Sequence, residues 1–284
     1  MWQFILHKLT KLLKKCLFEL LQKNEVDSLF SSFDQIGDII IIRIPDLLLH
    51  KKKVIGEMLL NNVKKTKTVY RQSSTIKGDF RIRDLELLAG VDNTETEYKE
   101  YGCRFKVDVK KVFFSPRLST ERNRISNLVK KSETVVNMFG GIGMFSILIA
   151  KKIDCKVYNI DINPDAITQC KKNIGLNRLK GNVVPILGNA SEIIEEFHNQ
   201  SDRTLMLLPE KSDNFIKPAF KTTKNNGIMH YYCHIHGNKS NAIDNTIRHY
   251  NNIAKIKSNI INSRIVRAVG PKYYQTVLDI KITK

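Results

Sequence analysis

Two groups of residues in this 284-residue chain could do chemistry. One is the cluster Gly140-Gly141-Ile142-Gly143, entered from the apolar pair Val135-Val136 and followed by an apolar helical pattern. A strand, a tight turn and a helix in this order hold nucleotide-like ligands, because bare backbone can approach the ligand at the turn. Dinucleotide folds need a further glycine, and here Met144-Phe145-Ser146 follows instead; a phosphate-cradling loop ending in Gly-Lys-Ser/Thr is absent too. S-adenosylmethionine (SAM) carries no phosphate and needs only room for its methionine part. Asp161, 18 residues after Gly143 and just ahead of a helix started by Asn163-Pro164, can accept hydrogen bonds from its two ribose hydroxyls. Together the turn and Asp161 point to SAM and away from a nicotinamide oxidoreductase. The other group is His230, Cys233, His234 and His236; on a strand the three histidines share one face, a geometry open to a metal ion.

The elements that must position these residues are legible from periodicity. From about 112 onward, strands and helices alternate. Ser115-Pro116 opens a helix from Arg117 to Lys130; a strand over 134–138, the glycine turn, a helix over 143–152 and a strand over 156–161 follow. Another helix runs from Asn163-Pro164 to about Leu176. "NVVPILG", "TLMLLP" and "GIMHYYCHI" read as further strands, and the stretch from Ser263 as a closing antiparallel hairpin joined at Gly270-Pro271. This alternation predicts an α/β fold, a Rossmann-type, mostly parallel doubly wound sheet over 111–284. Residues 31–110 read as a smaller α+β domain. It has a strand from Asp38 to Ile44 closed by Pro45, a helix to about Asn61, then strands in "KTVYRQ", "GDFRIRDLELLAG" and "EYGCRFKVDV". Residues 1–30 read as a basic amphipathic helix, with Ile5, Leu9, Leu12, Cys16 and Leu20 on one face, docking on protein or RNA rather than on a membrane.

The formal net charge is +19, and it is uneven: residues 1–110 carry 20 Lys/Arg against 15 Asp/Glu, and 111–284 carry 27 against 13. Such a field suits a polyanionic partner whose phosphates release counterions on binding. Five cysteines without a CxxC pair suggest neither a disulfide framework nor a zinc site, which fits a reducing cytoplasm. Lysines at 8, 11, 14 and 15 interrupt the N-terminal apolar run, against a signal peptide, and no stretch is long and apolar enough to span a bilayer.

In order along the chain stand "GDFRIRDLELLAG", "GCRFKVDV", "FFSPRLSTER", "VVNMFGGIGMFSI", "VYNIDINPDAI" and "GIMHYY". These blocks closely resemble the archaeal and eukaryotic tRNA (guanine37-N1)-methyltransferases, class I SAM-dependent enzymes acting on the guanosine 3′ of the anticodon. The resemblance covers about residues 30–284. It implies that Glu121 is the general base and that Arg81 stabilises O6, with Arg83 the alternative should the strand register differ. It further implies cofactor contacts from Arg122, Phe139, Gly140, Gly141, Gly143, Asp161, Ile162, Asn189 and Ala190, and substrate contacts from Arg117, Leu207 and Pro209. It argues against a metal at the histidines, and it implies that the tRNA anticodon stem-loop is the partner; a monomer with no stable membrane association is expected. Relatives often carry a further N-terminal domain for the tRNA elbow, and Met1 to about Gln35 is too short for a full copy.

Three positions depart from the family pattern. Asn137 and Asn189 stand where acidic residues are common, and Leu207 stands where the family commonly has Asn. Asn137 can bond backbone amides at the turn, and Asn189 can offer its carbonyl to the adenine amino group. Leu207 has neither donor nor acceptor with which to orient a base. Leu207 therefore keeps a second activity open, methyl or aminocarboxypropyl transfer to a wyosine-type tricyclic guanosine derivative. A non-catalytic tRNA-binding homologue is the alternative from another class.

Overall fold

The computed structural model describes residues 33–75 and 78–284; the helix expected over 1–30 lies outside them. The chain forms two compact units, one reaching Glu100 and including Arg104–Pro116, the other Tyr101–Cys103 with Arg117–Lys284. In the first, β1 (Phe33–Ile36), β2 (Ile39–Ile42), β3 (Thr68–Gln72) and β4 (Leu85–Gly90) form a sheet in that order, with α1 (Lys52–Asn62) as the crossover between the parallel pair β2 and β3. All four isoleucines of β2 are buried. Their β-branched side chains are stiff and pack well on a pleated surface, so a sheet covered on both faces takes them at every position. Ile40 and Ile42 meet Leu48, Ile55, Leu59, Val69 and Leu88 in one core. β5 (Glu95–Glu100) and β6 (Cys103–Asp108) form a separate two-stranded sheet.

Two expectations are corrected here. The strand foreseen from Asp38 to Ile44 is shorter, and β1 precedes it across a tight turn. The strand foreseen through "GDFRIRDLELLAG" is confined to Leu85–Gly90. Arg81 sits instead in a turn, with φ 56° and its N–H donating to Gly78 O (3.2 Å). A left-handed backbone cannot continue a ladder, so the strand starts only after Asp84.

The second unit is a seven-stranded sheet. Its strands are β7 (Thr134–Asn137), β8 (Lys156–Asp161), β9 (Asn182–Leu187), β10 (Ser201–Met206), β11 (Thr223–His236), β12 (Ser258–Gly270) and β13 (Tyr273–Ile282), in the order β12-β13-β11-β10-β7-β8-β9. β9 to β11 run parallel through β8, β7 and β10, and β13 enters antiparallel between β11 and β12. Pro185, which lacks a ladder donor, is accommodated because β9 is an edge. The expected helix over Arg117–Lys130 is a 3₁₀ turn, Pro116–Leu118, followed by α2 (Ser119–Leu128). α3 (Met144–Lys152) is buried from Met144 to Ala150 and follows the glycine turn; α4 (Pro164–Gly175), the short α5 (Ala190–Ile193), α6 (Ile216–Thr222) and α7 (Ala242–Ala254) complete the unit. The order reverses between β7, whose chain proceeds to β8, and β10 on its other side. Ligands of doubly wound folds bind at such a switch, outside the carboxyl ends of the strands.

Candidate active site

Asn137, Asp161, Asn189 and Leu207 all lie at or just past the carboxyl ends of adjacent parallel strands. From β7 the chain turns through Gly140–Gly143 into α3. A Cβ on Gly140 would stand 2.2 Å from Asn159 Oδ1, and Gly143, at φ 87°, is the N-cap of α3. Behind the turn runs a buried chain of hydrogen bonds whose direction is forced. Gly141 O can only accept, so Asn159 presents Nδ2 to it (3.2 Å) and Oδ1 to Ser146 Oγ (2.6 Å). The Ser146 proton is thereby spent, and Asn137 donates to that oxygen through Nδ2 (3.2 Å). Among the described residues Asn137 Oδ1 is left buried with no hydrogen-bond partner, a condition that costs about 1–3 kcal/mol. Asn137 thus bonds Ser146 rather than the backbone amides expected from the sequence. An amide suits the position because a carboxylate has no proton to give Ser146.

Asp161 Oδ2 accepts from Gly141 N (2.7 Å), and Oδ1 accepts from Asn163 N (2.9 Å). Burial pushes this carboxyl up from its ordinary value, while the N–H groups of Asn163, Gly141 and Ile162 pull it down. The carboxylate retains acceptor capacity for a hydroxyl. Ile162 beside it is 41% exposed. Gly188 N donates to Asp161 O (3.0 Å), bringing Asn189 and the buried Ala190 to the same edge. Asn189 caps α5: its Oδ1 accepts from Ser191 N (3.1 Å) and Ser191 Oγ (2.9 Å), so the oxygen foreseen for adenine is already engaged. Phe139 meets Phe215 edge-on, with ring centroids 4.9 Å apart. Leu207 and Pro209 follow β10 on a loop held by Ser212 Oγ, which reaches the carbonyls of Met206 (3.2 Å) and Leu208 (2.8 Å). These residues fit SAM. The partnerless Asn137 Oδ1 calls for a donor such as its ammonium, Asp161 offers acceptors to its ribose, and a Cβ on Gly141 would meet nothing within 4 Å.

Glu121 lies in the first turn of α2 and is 2% exposed. Its Oε1 accepts from Tyr232 Oη (2.6 Å) and Arg124 Nη2 (2.7 Å), and Arg124 Nε lies 3.0 Å from both oxygens. Arg264 Nη1 stands 3.7 Å from Oε2. Arg122 is buried, its guanidinium 5.9 Å from the centre of the Phe145 ring, whereas Arg117 is exposed. In the first unit, the Arg81 guanidinium stacks 4.1 Å over Phe113, and Arg83 Nη1 donates to Gln72 Oε1 (3.2 Å).

The histidines do not converge. His230 is wholly buried between Asp279 Oδ1 (Nδ1, 2.5 Å) and Arg203 Nη1 (Nε2, 2.8 Å). Arg203 can only donate, so Nε2 accepts and Nδ1 carries the proton. Burial pulls the His230 pKa down against the attraction of the Asp279 carboxylate to which it donates. His236 stacks on Tyr273 at 4.1 Å. Among the described residues no group of three His, Cys, Asp or Glu side chains could hold a metal. The sequence reading missed Arg124, Asp279 and the Tyr232 hydroxyl. The available signal was Asp279 itself, a carboxylate in the otherwise apolar run Val277-Leu278-Asp279-Ile280.

Residues 96–262 match the TRM5/TYW2 methyltransferase domain, and residues 13–94 match the TYW2 N-terminal domain. The chain is 39% identical over 254 residues to the tRNA (guanine(37)-N(1))-methyltransferase Trm5b of Pyrococcus abyssi, covering 89% of this chain and 75% of that protein. It is 35% identical over 272 residues to the tRNA 4-demethylwyosine(37)-methyltransferase Taw21 of Saccharolobus solfataricus, covering 94% and 99%. Among solved structures, it superposes on aTrm5 in complex with tRNALeu with a TM-score of 0.84 at 37% identity, over 95% of this chain and 78% of that one. On M. jannaschii TYW2 in complex with AdoMet the TM-score is 0.63 at 28% identity, over 88% and 98%. This chain belongs to the TRM5/TYW2 methyltransferase family, and it is a SAM-dependent methyltransferase.

Proposed function

We propose that this protein methylates N1 of the guanosine at position 37 of tRNA, with Glu121 as general base and Arg81 stabilising the charge that gathers on O6. The observation that carries the proposal is Glu121. It is a buried carboxylate pinned by Arg124 and Tyr232, with an oxygen, Oε2, that keeps room for one more proton donor. SAM supplies an electrophilic methyl group when bound. The protein's part is to hold the cofactor's ribose at Asp161 and its ammonium at Asn137, and to remove the N1 proton so that the ring nitrogen can attack. A guanidinium at O6 offsets the negative charge left by that proton. Extrusion of a loop base costs less than extrusion from a duplex, which suits a residue beside the anticodon. The +19 net charge supports an RNA partner, and Arg117 and Arg122 serve phosphate and cofactor respectively. The enzyme acts as a cytoplasmic monomer in this proposal. Among the described residues no helix is long and apolar enough to cross a membrane.

A second reading is favoured by Leu207 together with the Taw21 relative. A side chain that cannot hydrogen-bond the base suits an apolar tricycle, and a methyl group would then go to carbon. Mass spectrometry of nucleosides from tRNA incubated with the protein and labelled SAM decides between the two. N1-methylguanosine is expected; a methylated tricycle or an aminocarboxypropyl product would replace the proposal.

A further inference from the structure

We infer that Arg124 and Tyr232 are positioning residues that make Glu121 a one-sided base, so that the substrate proton is received at Oε2. This rests on the assignment of Glu121 above.

The inference follows from counting donors and acceptors. Glu121 Oε1 takes the Tyr232 hydroxyl and Arg124 Nη2, which fill its two lone pairs. Among the described residues, Oε2 has only the shared Nε of Arg124 within hydrogen-bonding distance, and Arg264 at 3.7 Å is too far to be counted. Rotation of the carboxylate would break the pair on Oε1, so the oxygen presented to a base is fixed.

Arg124 is fixed in turn from behind. Its Nη1 donates to Asp279 Oδ2 (2.6 Å) and its Nη2 to Asp279 Oδ1 (3.1 Å), a fork gripping a second carboxylate. Asp279 is itself saturated: His230 donates to Oδ1 and Asn262 Nδ2 to Oδ2 (2.9 Å). Behind His230 stands Arg203, paired with Glu133 (3.1 Å) and donating to Leu128 O (3.0 Å) at the end of α2. The helix carrying the base is therefore tied to the sheet at two points, by Arg124 in its middle and by its last carbonyl. Arg264, Arg124 and Arg203 balance Glu121, Asp279 and Glu133, so this row of charges is neutral in sum. A planar guanidinium grips both carboxylates with donors in a fixed fork. A lysine keeps the charge and loses the geometry.

The test is steady-state methyl transfer to a tRNA transcript bearing guanosine 37, using Arg124→Lys, Tyr232→Phe and Glu121→Gln, with SAM affinity and thermal melting measured on each. Arg124→Lys is expected to lower kcat by about 30-fold or more, since displacement of a reacting group by about 1 Å costs about 100-fold. KM for tRNA and Kd for SAM should stay within about twofold. Tyr232→Phe, which removes one hydroxyl and keeps the ring, should lower kcat by roughly tenfold and serves alone if the lysine variant does not fold. Added to Glu121→Gln, either change should cost less than about twofold more, because the group it positions is already gone. Near-parental kcat in Tyr232→Phe and in a folded Arg124→Lys, with Glu121→Gln inactive, overturns the inference and leaves the base assignment standing. The same holds for losses that multiply with Glu121→Gln. An active Glu121→Gln, or a parent protein that leaves guanosine 37 unmethylated, overturns the assignment and the inference with it.

Discussion

Asp279→Ala is the perturbation whose effect on stability is best determined by the structure. Asp279 is 4% exposed and accepts four hydrogen bonds, two from Arg124 and one each from His230 and Asn262. Truncation leaves Arg124, with only 15% of its side chain exposed, facing one carboxylate instead of two, and strands the His230 N–H in the core. Removing one partner of a buried ion pair costs about 3–5 kcal/mol. At about 2–4 °C per kcal/mol for a unit of this size, the melting temperature should fall by about 6–20 °C. The difference also depends on pH. Burial pushes the Asp279 carboxyl up, but the bonds from His230 and Arg124 outweigh it and hold it well below the ordinary carboxylate range. A depressed acid contributes stability that is full above its unfolded value of about 3.9 and is lost as pH falls toward the folded one. Urea denaturation of parent and variant from pH 7 down to pH 3 should therefore show a constant gap above about pH 5 that narrows below about pH 4. A gap under about 1 kcal/mol at pH 7, the value of an exposed pair, or one that widens in acid, would refute the reasoning.

Asp161→Ala should weaken SAM about 10- to 100-fold in calorimetry, the value of one charge-assisted hydrogen bond; unchanged affinity would remove its role at the ribose. Leu207→Asn gives the loop after β10 an amide that can reach a base, and should raise the rate on guanosine 37 severalfold. An unchanged rate would place the base away from Leu207.

The alternation of strands and helices from 112 onward was legible because its apolar periods are regular and its punctuation is strong, as at Gly140–Gly143 and Asn163-Pro164. Asn163 indeed caps α4, its Oδ1 accepting from Asp165 N (2.9 Å). "GDFRIRDLELLAG" misled because alternation in side-chain polarity persists through a segment whose backbone turns at Arg81; period-two patterning reports burial, not φ. The candidate SAM residues from Phe139 to Ile162 could be nominated because their spacing is local, within one strand-turn-helix unit and the strand after it. The surroundings of Glu121 were not, because Tyr232 lies 111 residues from it and Asp279 lies 155 from Arg124. No window of sequence spans such contacts. Asn189 shows a different limit: the residue type allowed two uses of one oxygen, and only the fold revealed that the helix cap had taken it.

The entry of β13 between β11 and β12 gives the protein an order of assembly. The glycine turn, Asp161 and the strands β7 to β10 are all synthesised before residue 210, and their hydrogen bonds close within that span. The clamp on Glu121 closes only when Asp279 arrives on the last strand of the sheet, a contact of high sequence separation and correspondingly late formation. A growing chain thus carries the strands of its candidate SAM site before the Arg124–Asp279 fork beside Glu121 can close.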